Sequence, residues 1–251
     1  MRIISILAGK GGVGKTTVAI NLACALGFFG KRTGLIDFNF TTSHLTLEFG
    51  MIPSATFNDV LKNQATFEEA LYPVFNIHVI PASLNLSELE NVDVSNLKSR
   101  IKEMSNWFDV MILDSAPGFG KEALTALQSS DEAILVVNPT VAAITDAIKC
   151  KQLASRLGVH TLGIVLNKYR DKGFEISPKE ISMLVGLPLL VVVREDEEFL
   201  KSEALRVPMV FYNREKADGF FKLAGLITGE EYEEPEIRRP NIFKRFLAKF
   251  F

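Results

Sequence analysis

The run Gly9-Lys10-Gly11-Gly12-Val13-Gly14-Lys15-Thr16-Thr17 carries the most specific chemistry in the chain. It matches the spacing G-x-x-x-x-G-K-[ST], and the spacing matters only in the right setting. Here a strand-like run, Ile3–Leu7, precedes it and a helical pattern, Val18–Leu26, follows. In that setting glycines let successive backbone N–H groups turn inward around phosphate oxygens. The helix N-terminus adds partial positive charge. Lys15 is expected to reach the β- and γ-phosphates of a nucleotide, and Thr16 to offer its hydroxyl to Mg²⁺. Gly11, Gly12, Val13, Gly14, Lys15, Thr16 and Thr17 form the expected phosphate cradle.

Two carboxylates fall at the ends of later strand-like runs, Asp37 after Thr33–Ile36 and Asp114 after Val110–Leu113. Beside a phosphate loop both are expected to face Mg²⁺, through water, because that ion keeps much of its hydration. A strand-end Asp on its own is often a turn former or a helix cap. Asn167 ends a further run, and its amide can pair with adenine. In Asn167-Lys168-Tyr169-Arg170-Asp171, Arg170 occupies the position where a guanine-reading Asp would stand, which favours ATP over GTP. The stretch Arg194–Asp196, after the last run, is expected near the base.

The elements that must hold these residues are legible as a rhythm. Short apolar runs recur at Ile3–Leu7, Thr33–Ile36, Ile77–Ile80, Val110–Leu113, Ala133–Val137, Thr161–Leu166 and Leu189–Val193, with helical patterns between most of them. Runs apolar on both faces, alternating with helices, predict a three-layer α/β fold. Its centre is a mostly parallel sheet of about seven or eight strands. Ligands of such sheets bind at the carboxyl ends of the strands. The phosphate loop, Asp37–Asn39, Asp114–Gly118 and Asn167 all follow strand-like runs, so they should converge on one edge.

Composition bounds the alternatives. The chain has 251 residues with a net charge of −2, from 28 Lys+Arg against 30 Asp+Glu. That average argues for neither nucleic acid nor membrane. Two cysteines, Cys24 and Cys150, form no CxxC, which argues against a disulfide framework, a structural zinc or a cysteine-held cluster and fits a cytoplasmic setting. The longest apolar runs fall far short of the ~18 residues that suggest a membrane span, and no signal peptide is expected.

Lys10, with Gly11-Gly12-Val13-Gly14-Lys15-Thr16-Thr17 after it, resembles the deviant Walker motif of the MinD/ParA family of ATPases, closest to its MinD branch. The resemblance covers residues 1 to about 229 in overall order, and the tail as well. It implies that Lys10 reaches across to the nucleotide of a second subunit, so that ATP and homodimer formation are linked. It implies that Asp114-Ser115-Ala116-Pro117-Gly118 is a second switch whose Gly118 N–H senses the γ-phosphate. One departure bears on mechanism. Asp-x-Asp is usual in the family's first switch, and here the stretch is Asp37-Phe38-Asn39. An amide can hold a water but cannot take its proton. Phosphoryl transfer relies more on positioning than on a strong base, so slow, partner-stimulated hydrolysis is expected. Lys10, Lys15, Asn39 and Asp114 are the expected catalytic set.

The C-terminus differs from the rest. Residues 1–229 read as one domain and 230–237 as an acidic flexible linker. Residues 238–251 read as a basic amphipathic helix. At about 100° per residue, Ile242, Phe243, Phe246, Leu247, Phe250 and Phe251 fall on one half of the wheel, and Lys244, Arg245 and Lys249 on the other. Of the 19 Phe in the chain, four stand in these last nine positions. Such a helix suits the headgroup region of an anionic membrane and is similar to the family's membrane-targeting helix. The expected protein is a cytoplasmic ATPase, peripheral at the inner face of the membrane when ATP-bound, that positions a division site or a polar or surface assembly. An activating or cargo protein is an expected partner, and DNA is not. A DNA-segregating relative and a nucleotide-stabilised scaffold without turnover are the competing readings.

Overall fold

A computed structural model describes residues 1–40, 43–84, 94 and 96–232. The strands are β1 (Arg2–Leu7), β2 (Thr33–Phe38), β3 (Tyr72–Val74), β4 (Ile77–Ile80), β5 (Val110–Ser115), β6 (Glu132–Val137), β7 (His160–Tyr169) and β8 (Leu189–Arg194). They form one sheet in the order β3-β4-β2-β5-β1-β6-β7-β8. All neighbours are parallel except β3 and β4. Every strand-like run of the sequence is a strand. The additional one, β3, is three residues long, carries Pro73 and sits at the sheet edge, where a missing N–H costs no ladder bond.

The helices are α1 (Lys15–Phe28), α2 (Leu45–Glu48), α3 (Phe57–Leu61), α4 (Leu97–Lys102), α5 (Lys121–Gln128), α6 (Val141–Arg156), α7 (Pro178–Val185), α8 (Glu197–Ala204), α9 (Met209–Tyr212) and α10 (Asp218–Thr228). Alternate strand residues separate the two faces of the sheet. Ile4, Ile6, Leu35, Ile112 and Ile134 pack with Leu22 and Leu26 of α1 and with Phe220 and Leu223 of α10. On the other face Ile3, Ile36 and Leu113 pack with Phe57, Leu61 and Ile101, while Leu135, Val137 and Leu166 pack with Ile144 and Ile181. Burial on both faces is why these strands read as continuous apolar runs. Val18–Leu26 is buried throughout, which fixes α1 rigidly behind the phosphate loop. No helix among the described residues is long and apolar enough to cross a membrane.

Gly229 ends α10 in the left-handed conformation, φ +73°. The next residues return to the domain. Glu230 pairs with Lys31 at 2.8 Å, and the Tyr232 ring stacks on Phe221 with centroids 5.2 Å apart. Residues 233–237 of the acidic stretch and the whole of 238–251, including Ile242 to Phe251, lie outside the described residues.

Candidate nucleotide site

Local sequence shapes the loop between β1 and α1. Gly14 is the residue before α1 and adopts φ +93°, a conformation L side chains rarely reach. A Cβ at that position would also overlap the Asn167 amide nitrogen. Val13 is buried and anchors the loop, whereas Lys10, Gly11 and Gly12 are exposed at its rim. The end of β7 braces the loop from outside. Asn167 Nδ2 donates to the Val13 carbonyl at 2.8 Å, and Lys168 Nζ donates to the Gly12 carbonyl at 2.9 Å. Asn167 thus carries a loop-holding task beside the base contact expected of it. Lys168 was not singled out by the motif.

Lys15 opens α1 and is buried to 7% exposure. Burial lowers its pKa, and the charge of Asp114 opposes that shift. Thr16 Oγ1 donates to Asp114 Oδ2 at 2.7 Å. The other oxygen, Asp114 Oδ1, is buried and has no hydrogen-bond partner among the described residues. Asp37 stands beside Asp114 in the parallel register of β2 and β5. Burial raises Asp37 to about 6 and Asp114 to about 7, with the charge of Asp37 the next cause for Asp114.

The two carboxylates have different tasks. Asp37 Oδ1 accepts from the Asn39 N–H at 3.0 Å. Its Oδ2 accepts from Ser43 Oγ at 2.9 Å and from the backbone N–H groups of His44 and Leu45. Asp37 therefore organises the turn that leads into α2, as strand-end Asp residues often do. Asn39 is buried in that turn, and its Nδ2 lies 3.0 Å from Nδ1 of His44. On the opposite switch, Gly118 takes φ +83° and donates its N–H to the Ala8 carbonyl at 3.1 Å, tying that loop to the end of β1.

A cavity of about 390 Å³ opens beside the loop, within the range of small-ligand sites. Gly14, Thr17, Asn21 and Asn167 line its inner end, and Arg194, Glu195 and Asp196 its outer wall. The last three are the stretch after β8 expected near the base. Glu48, Phe49, Glu203, Arg206 and Pro208 are also among its lining residues. These five stand in no motif, and only the packing of α2 against the α8–α9 connection brings them to the cavity. Burial, then the charge of Glu203, raises Glu48 to about 7.

The groups around Thr16 and Asp114 fit a hydrated Mg²⁺ with phosphate oxygens. An orphaned, buried carboxylate oxygen sits beside a threonine hydroxyl and an adjacent raised Asp. Among the described residues no cluster of three or more His, Cys, Asp or Glu could hold a metal alone. Mg²⁺ characteristically takes one or two carboxylates and completes its shell with water and substrate phosphates.

Comparison with known proteins places this geometry. A family model described as an AAA domain matches residues 1–156. An uncharacterised ATP-binding protein of Methanocaldococcus jannaschii is 32% identical over 253 residues, covering 99% of this chain and 96% of its own. The crystal structure of the cell division ATPase MinD of Pyrococcus furiosus superposes with a TM-score of 0.86 at 35% identity, covering 91% of this chain and 98% of that one. The septum site-determining protein MinD of Pyrococcus horikoshii, complexed with Mg-ADP, gives 0.85 at 34% identity, covering 90% and 95%.

Proposed function

The chain belongs to the MinD/ParA-type family of P-loop ATPases, and from that premise we propose that it is a MinD-like switch. Mg-ATP joins two copies, the pair binds an anionic membrane through residues 238–251, and slow hydrolysis releases it. The observation that carries this reading is the loop itself. Lys10 stands exposed at its rim, while Lys15 and Thr16 point inward to Asp114. An exposed rim lysine is free to serve a nucleotide held by a second copy.

Each residue has a task in this reading. The backbone N–H groups of Gly11 to Thr17 and Lys15 hold the phosphates. Thr16 and Asp114 hold Mg²⁺, and Asp37 supports them through the turn it organises. Bound Mg²⁺ draws negative charge from the phosphate oxygens. The loss of Asp37–Asp114 repulsion on cation binding favours the loaded state. The cavity lined by Asn167 and Arg194–Asp196 takes adenine.

Membrane association follows from avidity. A single short amphipathic helix binds weakly and reversibly, since isolated helices of this length barely form in water. Two tethered to one dimer gain roughly 10²-fold or more through effective concentration. The dimer then positions a cargo protein or a division site on the membrane surface.

Sedimentation with anionic vesicles tests the reading, using ATP, ADP or no nucleotide and comparing the full chain with one ending at Tyr232. Tyr232 is the better end point than Gly229 because Glu230 and Tyr232 pack on the domain. The expected result is pelleting of the full chain with ATP only. Full-length protein that stays in the supernatant with ATP would sink the membrane reading. ATP-dependent binding to plain DNA would replace it with a segregation function.

A further inference from the structure

A row of aromatic rings crosses the surface formed by α1, α9, α10 and the turn between β3 and β4. Tyr232 stacks on Phe221, and Phe221 lies 5.6 Å from Phe28. Phe28 is 4.9 Å from Phe211, and Phe211 is 4.8 Å from Phe75. Phe49, just after α2, adds a ring 6.3 Å from Phe75. Two members stay open to solvent, Phe75 at 50% exposure and Phe28 at 39%. Phe75 is the unusual one. Val74 and Ile77 pair, so Phe75 and Asn76 form a two-residue turn between antiparallel strands. The first position of such a turn takes positive φ and ordinarily goes to Gly, Asn or Asp. Phe75 holds φ +53° there, a strained conformation for a bulky side chain. The turn is pinned on α1, where Asn76 Nδ2 donates to the Cys24 carbonyl at 2.9 Å. A half-exposed ring, kept at a cost in backbone strain and joined to a row of others, marks a surface that is covered in use.

Building on the functional reading above, we propose that this row is the docking surface for the chain's own C-terminal segment, residues 242–251, in the single nucleotide-free copy. The place where the chain leaves the domain carries the argument. Tyr232 is itself the first ring of the row. Each step from there to Phe75 is 5.6 Å or less. Residues 233–241 span up to about 30 Å when extended, so the next ten residues reach any part of the row. As a helix those ten measure about 15 Å, close to the length of the row. Phe243, Phe246 and Phe250 then meet rings, a pairing that aromatic side chains favour beyond the area they bury. Lys244, Arg245 and Lys249, on the other half of the wheel, keep their charges in water.

The tether decides the occupant. A segment joined by nine residues meets the row at an effective concentration in the millimolar range. A contact too weak to hold separate molecules together is therefore populated within one chain, and a free partner would have to match that concentration to displace it. The docked segment turns the same phenylalanines away from lipid. One copy alone then binds a membrane less well than its bare helix would. Two copies joined by Mg-ATP overcome that restraint through their combined hold on the surface.

Thiol reactivity in the full chain tests the docking. Leu247→Cys sets one thiol on the apolar half of the tail, in a chain whose own Cys24 and Cys150 are buried. Without nucleotide or lipid, the rate of its reaction with a maleimide tracks the undocked fraction. Adding Phe75→Asn removes the ring and suits the turn, and should speed the reaction about fourfold, the scale of one lost aromatic contact. Phe246→Ser with Phe250→Ser, which leaves the domain untouched, should speed it at least as much. The affinity of the Phe75→Asn chain for phosphatidylglycerol vesicles without nucleotide should rise by a similar factor. A thiol rate indifferent to all of these substitutions overturns the docking. Acceleration by the tail pair but not by Phe75→Asn places the tail elsewhere and overturns this surface. Weaker vesicle binding by the Phe75→Asn chain would mean that the row meets lipid itself, which also overturns it. Native protein that never pellets with ATP defeats the functional reading beneath, while the thiol rates still decide the docking.

Discussion

At the scale of single residues, the site concentrates negative charge out of water. Asp37 and Asp114 are fully enclosed neighbours, and Glu48 sits near Glu203 in the adjoining cavity. All three shifts are upward, so the native state holds protons that the unfolded chain has lost. For Glu48 the window runs from about 4.5 to about 7. Across it the native state binds more protons, so stability falls as pH rises and the loss is complete above the upper value. Glu48→Gln should therefore flatten the dependence, giving a smaller drop in the urea midpoint between about pH 5 and about pH 8. An identical pH dependence in the variant would show that Glu48 titrates normally. Asp114 and Thr16 were legible as a pair from spacing and strand ends. The second task of Asn167, at the Val13 carbonyl, and the His44 contact were not, because each joins residues whose nearness depends on a turn or on the sheet order.

At the scale of elements, the P-loop helix and the last helix form one packed layer, and the chain beyond α10 belongs partly to it. Phe28 lies 4.9 Å from Phe211 and 5.6 Å from Phe221, and Tyr232 stacks on the Phe221 ring at an interplanar angle of 7°. An acidic, apolar-poor sequence from Glu230 on reads as solvated linker, and nothing in its pattern signals that Tyr232 finds a ring to stack on. Aromatic pairs contribute about 0.5–1.5 kcal/mol beyond area burial, and an exposed ion pair such as Lys31–Glu230 at most about 1 kcal/mol. A chain ending at Gly229 should be less stable in urea than one ending at Tyr232 by about 1 kcal/mol. Both should fail equally to pellet with vesicles. Coincident unfolding curves would show that the stack contributes nothing.

At the scale of the whole molecule, the carboxyl edge of the sheet gathers residues that follow β1, β2 and β8, with the end of β7, around one cavity. The exposed Lys10 stands at the rim of that edge, with no hydrogen bond or ion pair among the described residues. If it serves a second copy, Lys10→Ala should leave Mg-ATP affinity of the single chain within about twofold while abolishing the ATP-dependent dimer in sedimentation velocity. A dimer that persists in the variant would assign Lys10 to the nucleotide of its own chain.

The sequence by itself determined the layer architecture and the phosphate chemistry. Both are local in origin: apolar runs need two covered faces, and a glycine loop between a strand and a helix exposes N–H groups whatever the rest of the chain does. Tertiary structure alone decided the far wall of the cavity, the division of labour between Asp37 and Asp114, and the anchoring of Tyr232. Each of these joins groups through the packing of elements, and no residue pattern along the chain encodes which helices meet. Glu48 of α2 and Glu203 of α8 line one cavity although their helices follow β2 and β8, strands that β5, β1, β6 and β7 separate in the sheet.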